Sequence, residues 1–94
     1  MMDFSDALRR LKAGKSVKRE GWNGKGMFLY LVPNSETPVA PNTALAANEP
    51  VGTMHGMQRY IAMKTADNTS VPWLCSQTDM LADDWTIHWE PRDE

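Results

Sequence analysis

The residues best equipped for chemistry fall in two short stretches. The first is Val71-Pro72-Trp73-Leu74-Cys75-Ser76-Gln77-Thr78-Asp79-Met80-Leu81-Ala82-Asp83-Asp84-Trp85, with two of the four tryptophans and a tight group of acids. Within it, Ser76-Gln77-Thr78-Asp79 has the form of a capping box. A serine at the N-cap accepts the orphan amide at N3, and an acid at N3 reaches back to the cap amide. The second stretch is Gly21-Trp22-Asn23-Gly24-Lys25-Gly26. Three glycines in six residues permit positive φ and close backbone approach.

Indole faces beside capped amides and carboxylates suit a ligand with flat rings and hydroxyls. They suit a packed corner as well, which is the commoner use of large apolar residues at element ends. Trp22 reads equally as a lid over the core and as a stacking platform. Glycine-rich loops can cradle phosphates with their amides, but this one lacks the spacing of a P-loop or a dinucleotide fingerprint. Asn23-Gly24 is a stronger signal for a hairpin turn.

Nothing argues for catalysis. Ser76 is explained as a cap. Cys75 has no basic neighbour in sequence and reads as a small buried hydrophobe. Asp79, Asp83 and Asp84 can serve as acid and base or hold a metal, yet acids in a first helical turn are explained by the helix dipole. Asp84 is the acid that the helix explains least. His55 reads as a loop residue and His88 as a strand surface residue. Two distant histidines and one cysteine make no zinc pattern, and no metal or cofactor is expected.

The elements that position these residues can be read in order. Met1 and Met2 read as frayed. Asp3 or Ser5 caps a helix through about Ala13, with Phe4, Ala7, Leu8 and Leu11 on one face and Gly14 as its stop. Lys15 to Glu20 is a short strand, and Met27 to Val32 is a second strand closing a hairpin. Residues 33–57 hold four prolines and no confident element beyond one helical turn at Thr43 to Asn48, with Asn42 as cap. Such a loop packs on a neighbouring subunit or covers a site. Arg59 to Thr65 and Ser70 to Leu74 form a second hairpin, and Pro72 argues for an edge position or a bulge. A short helix at about 77–83 follows. Trp85 to Trp89 alternates as the last strand, with Trp85, Ile87 and Trp89 on one face and Thr86 and His88 on the other. The sum is a single α+β domain over residues 1–94. An N-terminal helix and a second short helix pack on an antiparallel sheet of about five strands.

Composition narrows the class. The net charge of −2 disfavours binding to polymeric nucleic acid. The charge is uneven, however. Seven of the ten basic residues lie between Arg9 and Lys25, and six acids lie between Asp79 and Glu94. That asymmetry either steers a small anion to one face or makes two solvated surfaces that attract each other weakly. No apolar run approaches a membrane span, and the single cysteine suits a reducing cytoplasm. A chain of 94 residues buries a modest core, so self-association is an expected remedy.

With Gly21 to Leu29, Tyr60-Ile61-Ala62-Met63-Lys64-Thr65-Ala66-Asp67 and Val71 to Trp85 in view, the chain resembles the Thoeris anti-defence protein 2 family of phages and prophages. The resemblance runs from the N-terminal helix to about Trp85. It implies a non-enzymatic sponge for the glyco-cyclic ADP-ribose signal of Thoeris immunity, with cyclic dinucleotides as further ligands of some members. It also implies a homotetramer with ligand sites between subunits, acting in the cytoplasm of the infected bacterium. On this reading the ligand contacts are Trp22 and Trp73, which match the motif tryptophans, with Phe28 completing an aromatic wall. The amides of Gly24 to Gly26, Lys25, or the capped helix start at Ser76 to Thr78 would meet the pyrophosphate. Asn23, Asp79 and Asp84 would take ribose hydroxyls or the adenine amino group. Two other readings compete: an interaction protein that binds a host protein without nucleotide, and a small nucleotide hydrolase or cyclase-related enzyme. Intact ligand recovered after denaturation, a single host protein in a pull-down, or a converted product separates the three.

Overall fold

The computed structural model describes residues 1–92. Helix α1 (Phe4–Lys12) begins where the Asp3 carboxylate accepts the Asp6 amide at 2.9 Å. It ends at Gly14, whose φ of +91° is the left-handed stop that a side chain would oppose. Ala7 and Leu11 on its inner face are fully buried. Seven strands follow: β1 (Ser16–Arg19), β2 (Phe28–Val32), β3 (Ser35–Pro38), β4 (Met54–Met57), β5 (Tyr60–Lys64), β6 (Ser70–Pro72) and β7 (Trp85–Trp89). A one-turn helix α2 (Gln77–Met80) precedes β7.

Five strands make one antiparallel sheet in the order β6-β5-β2-β1-β7. The register pairs Val17 with Leu29 on one side and with Ile87 on the other, which places these apolar residues in one row. Alternation then sends Val17, Leu29, Ile61, Met63, Trp85 and Ile87 towards α1, where they form the core with Ala7 and Leu11. Trp85 is the largest fully buried side chain, and its indole N–H donates to the Asp79 carbonyl at 3.0 Å. The other face carries Ser16, Lys18, Phe28, Tyr30, Lys64, Thr86 and His88, and no helix covers it.

Pro72 lies on edge strand β6, where its missing amide costs no ladder bond. The opposite edge, β7, is bridged by Met2. The Met2 amide donates to the Trp85 carbonyl at 2.7 Å, and the Trp85 amide donates back at 3.0 Å. Met2 is therefore not frayed, because the two bonds satisfy an edge that would otherwise lie open.

The middle of the chain departs from expectation. Residues 33–57 are not without structure: β3 and β4 pair as a separate two-stranded sheet, from Ser35 opposite Met57 to Pro38 opposite Met54. The helical turn at its far end is a 3₁₀ turn (Leu45–Ala47), and Asn42 does not cap it. The Thr43 hydroxyl bridges the Ala40 carbonyl and the Ala46 amide instead. This arm is an insertion into a hairpin, since Val32 and Tyr60 at its two ends are themselves a β2–β5 pair. It projects from the body, and the radius of gyration of 16.3 Å exceeds the ~12 Å of a compact domain this size. Helix α2 is also shorter than the sequence suggests, stopping at Met80.

Candidate functional site

The two chemical stretches meet at one end of the sheet, and an arginine joins them. Arg19 closes β1 and faces the corner between α2 and β7. Its Nε donates to Asp84 Oδ1 and its terminal nitrogen to Asp79 Oδ1, both at 2.7 Å. Asp84 Oδ2 also accepts the Gly21 amide at 2.8 Å. The three side chains are 17–25% exposed, so water screens these pairs only in part. The two hydrogen-bonded carboxylates hold the guanidinium charged, Asp84 foremost. Arg19 in turn holds the Asp84 carboxyl below its usual range, with help from the Gly21 amide.

The capping reading of Ser76 holds: its hydroxyl accepts the Asp79 amide at 3.1 Å. The Asp79 carboxylate, however, reaches across to Arg19 rather than back to the cap amide. An opposite charge is a stronger partner for a carboxylate than a neutral amide. The uneven charge of the chain thus becomes contact between its two halves, through these pairs and through Lys15 with Glu90 at 3.2 Å.

Around this clasp the tryptophans flank the core. Trp22 meets buried Trp85 edge-on at 5.4 Å, and Trp73 meets it at 6.1 Å, also edge-on. Phe4 of α1 fills the remaining side, 5.7 Å from Trp73 and 5.4 Å from Trp85. Trp22 and Trp73 are both half-buried, each with part of an indole facing outward. Trp22 belongs to a 3₁₀ turn (Glu20–Trp22) that leads into Asn23 and Gly24 at φ of +59° and +67°. Asn23-Gly24 thus turns the chain inside an eight-residue loop rather than as a tight two-residue connection. Gly21 has a different reason for being glycine. A Cβ there would lie 3.0 Å from Asp84 Oδ2 and 3.2 Å from the Arg19 guanidinium.

The same loop borders a cleft of about 250 Å³ lined by Lys18, Trp22, Gly24, Lys25, Met27 and His88, with Arg19 at its wall. Phe28 is on the uncovered sheet face. It does not extend the Trp22–Trp73 wall. Its ring stacks on His88 at 4.2 Å and 11°, over β1, which runs between their strands. Beyond that pair lies a second cleft of about 370 Å³, bordered by Phe28, Tyr30, His88 and Trp89. Ten residues were singled out from sequence. The structure gathers Trp22, Gly24 and Lys25 with Arg19 at one cleft and sets Asp79 and Asp84 on the Arg19 guanidinium, while Asn23 lies in the same loop. Trp73 packs on Trp85 beside Phe4, Ser76 and Thr78 lie at the start of α2, and Phe28 is on the other face.

Sequence reasoning missed Arg19, Lys18 and His88. The signal for two of them was present. Strand alternation puts Lys18 on the face opposite Val17, and Thr86 with His88 on the face opposite Trp85. Cys75 is half-buried, and desolvation followed by the Asp79 charge pushes its thiol above the usual value, away from the reactive thiolate. Among the described residues, no group of three or more His, Cys, Asp or Glu side chains is placed to hold a metal ion. No helix among the described residues is long and apolar enough to cross a membrane.

A single α+β domain with this clasp and these clefts matches a known family over nearly its whole length. The model of the Thoeris anti-defense 2-like domain covers residues 2–88, from the Met2 bridge into β7, and the chain belongs to that family. Among curated proteins it is similar to Thoeris anti-defense 2 of Bacillus phage SP01, with 44% identity over 90 residues, 92% of this chain and 93% of that protein. Membership supports a phage anti-defence role. The family is one of anti-defence proteins rather than of enzymes.

Proposed function

We propose that this protein is a non-enzymatic sponge that binds and sequesters glyco-cyclic ADP-ribose, the signal of Thoeris immunity, in the cytoplasm of the infected bacterium. The observation that carries this reading is family membership across residues 2–88, joined to a cleft whose chemistry suits such a ligand. Adenine stacks on the outward part of Trp22, a contact worth about 1–3 kcal/mol. The pyrophosphate meets Lys25 and the amides of Gly24 to Gly26. Asn23 takes a ribose hydroxyl. Asp79 and Asp84 contribute through Arg19, by holding the Gly21–Trp22 segment in place, and any direct ribose contact competes with that clasp.

At about 250 Å³ the cleft of one chain is below the usual range for a drug-sized ligand. A second copy completing the wall fits that shortfall, and Trp73 and Phe28 then belong to other walls of an assembled tetramer. Thr78 and Ser76, exposed at the start of α2, would then meet a neighbour's ligand rather than the one in the Trp22 cleft. Sequestration of a scarce signal needs a Kd of about 10 nM or lower, near −11 kcal/mol. Isothermal titration with glyco-cyclic ADP-ribose, followed by heat denaturation and chromatography, tests the reading. Tight binding with chemically unchanged ligand on release supports the sponge. A converted product marks an enzyme, and silence towards this signal and towards cyclic dinucleotides moves the role to a protein partner.

A further inference from the structure

The uncovered sheet face is divided by one stacked pair. Phe28 reaches over β1 from β2, His88 reaches over it from β7, and the rings meet at 4.2 Å. On one side the lining is mainly aromatic, with Phe28, Tyr30 and Trp89. On the other it is cationic and glycine-rich, with Lys18, Lys25, Gly24 and Gly26. His88 belongs to both clefts and stands at their boundary.

The lysines at this cleft lack the carboxylate partners that some cations of the chain have. Among the described residues, Arg9 pairs with Asp6, Lys15 with Glu90, and Arg19 with Asp79 and Asp84. Lys18 and Lys25 have no carboxylate within salt-bridge distance there. Lys64 of β5 stands 6.0 Å over the Phe28 ring and donates to the Gly26 carbonyl at 3.2 Å, a neutral partner. The Glu20 carboxylate accepts the hydroxyl of Thr86, the β7 partner of Lys18, at 3.4 Å. Lys18 and Lys25 thus leave positive charge at the cleft that a ligand anion can neutralise.

We propose that Lys18, Lys25 and His88 form the seat for the ligand's diphosphate, and that the diphosphate is held together with a proton taken up by His88. This rests on the nucleotide reading above and adds two residues and a linkage to it. Desolvation, then Lys18, then Lys64, lowers the His88 value below the ordinary 6.5, so the free protein keeps the imidazole neutral at pH 7. A bound diphosphate reverses the sign of the local field. The imidazolium is then favoured, and it adds a donor to the anion while its face stays on Phe28. By linkage, binding takes up a proton and tightens as pH falls.

ADP-ribose is the probe, because its two phosphate groups do not titrate near neutral pH. Its affinity is expected to be about threefold to fivefold higher at about pH 6 than at about pH 8, a part of the tenfold limit that a one-unit rise in the His88 value gives. In nuclear magnetic resonance titrations the His88 ring protons report a higher pKa with probe than without. His88→Gln, at an exposed position, keeps the fold and removes the pH dependence. Lys18→Ala weakens binding at both pH values. A pH-independent affinity, an unmoved His88, an unchanged slope in His88→Gln or no ADP-ribose binding at all overturns the seat. Tight glyco-cyclic ADP-ribose binding without a pH slope leaves the sponge standing and removes only the seat. An ADP-ribose slope without affinity for the Thoeris signal keeps the seat and removes the named ligand.

Discussion

Replacing Arg19 with methionine removes a charge while keeping most of the side chain's volume. The structure sets the expected size of the effect. Arg19 makes two 2.7 Å contacts, one with each carboxylate, and all three side chains are at least three-quarters covered. An exposed pair is worth about 0–1 kcal/mol. Truncating one partner of a fully buried pair costs about 3–5 kcal/mol. The clasp lies between, and the loss is expected at roughly 2–3 kcal/mol, or about 10–20 °C in Tm for a domain of this size. Thermal unfolding followed by circular dichroism measures it. The sign with pH is fixed by Asp84, whose carboxyl is held below its usual value by Arg19. Its contribution is complete above the unfolded range near about pH 4 and fades as pH falls through the lower folded value. Wild type and Arg19→Met therefore differ most near neutrality and converge in acid. Asp84→Asn in the Arg19→Met background recovers about 1 kcal/mol, because it relieves two facing carboxylates. A Tm drop below about 3 °C, or a gap as wide at pH 3 as at pH 7, would show that water screens the clasp and that it holds nothing.

Three further outcomes are expected. Gly21→Ala pushes a Cβ against Asp84 and Arg19, so it lowers stability by about 1 kcal/mol through the same clasp, read as a Tm drop that Arg19→Met abolishes. Trp22→Ala lowers affinity for glyco-cyclic ADP-ribose by about tenfold or more in isothermal titration, and unchanged affinity makes Trp22 a core residue only. Replacing residues 33–59 by an Asn-Gly turn joins Val32 to Tyr60 through a hairpin connection. The five-stranded sheet should survive with a Tm within about 5 °C of wild type, and loss of cooperative unfolding would show that the arm supports the body.

The division between sequence and tertiary structure follows the range of each signal. Helix α1 was legible because its cap, apolar spacing and glycine stop all act within one to four residues. The Ser76 cap, the edge position of Pro72 and the alternation of β7 were legible for the same reason. The five-stranded α+β plan followed from adding them. The β3–β4 arm was hidden because its prolines and glycines obscure strand periodicity, and pairing between residues 35–38 and 54–57 leaves no local mark. Asp79 shows the limit most directly. Locally it completes a capping box, yet its carboxylate binds Arg19, 60 residues away, and Asp84 joins the same guanidinium from 65 residues away. Sequence supplied the residue types and their faces: indoles, a glycine-rich loop, a basic stretch and a histidine on the polar side of a strand. Only the register of β1 between β2 and β7 could bring Phe28 onto His88 and Lys18 beside them. Side-chain meetings across a sheet are fixed by strand order, and strand order is decided by burying Trp85, Val17 and Leu29 together.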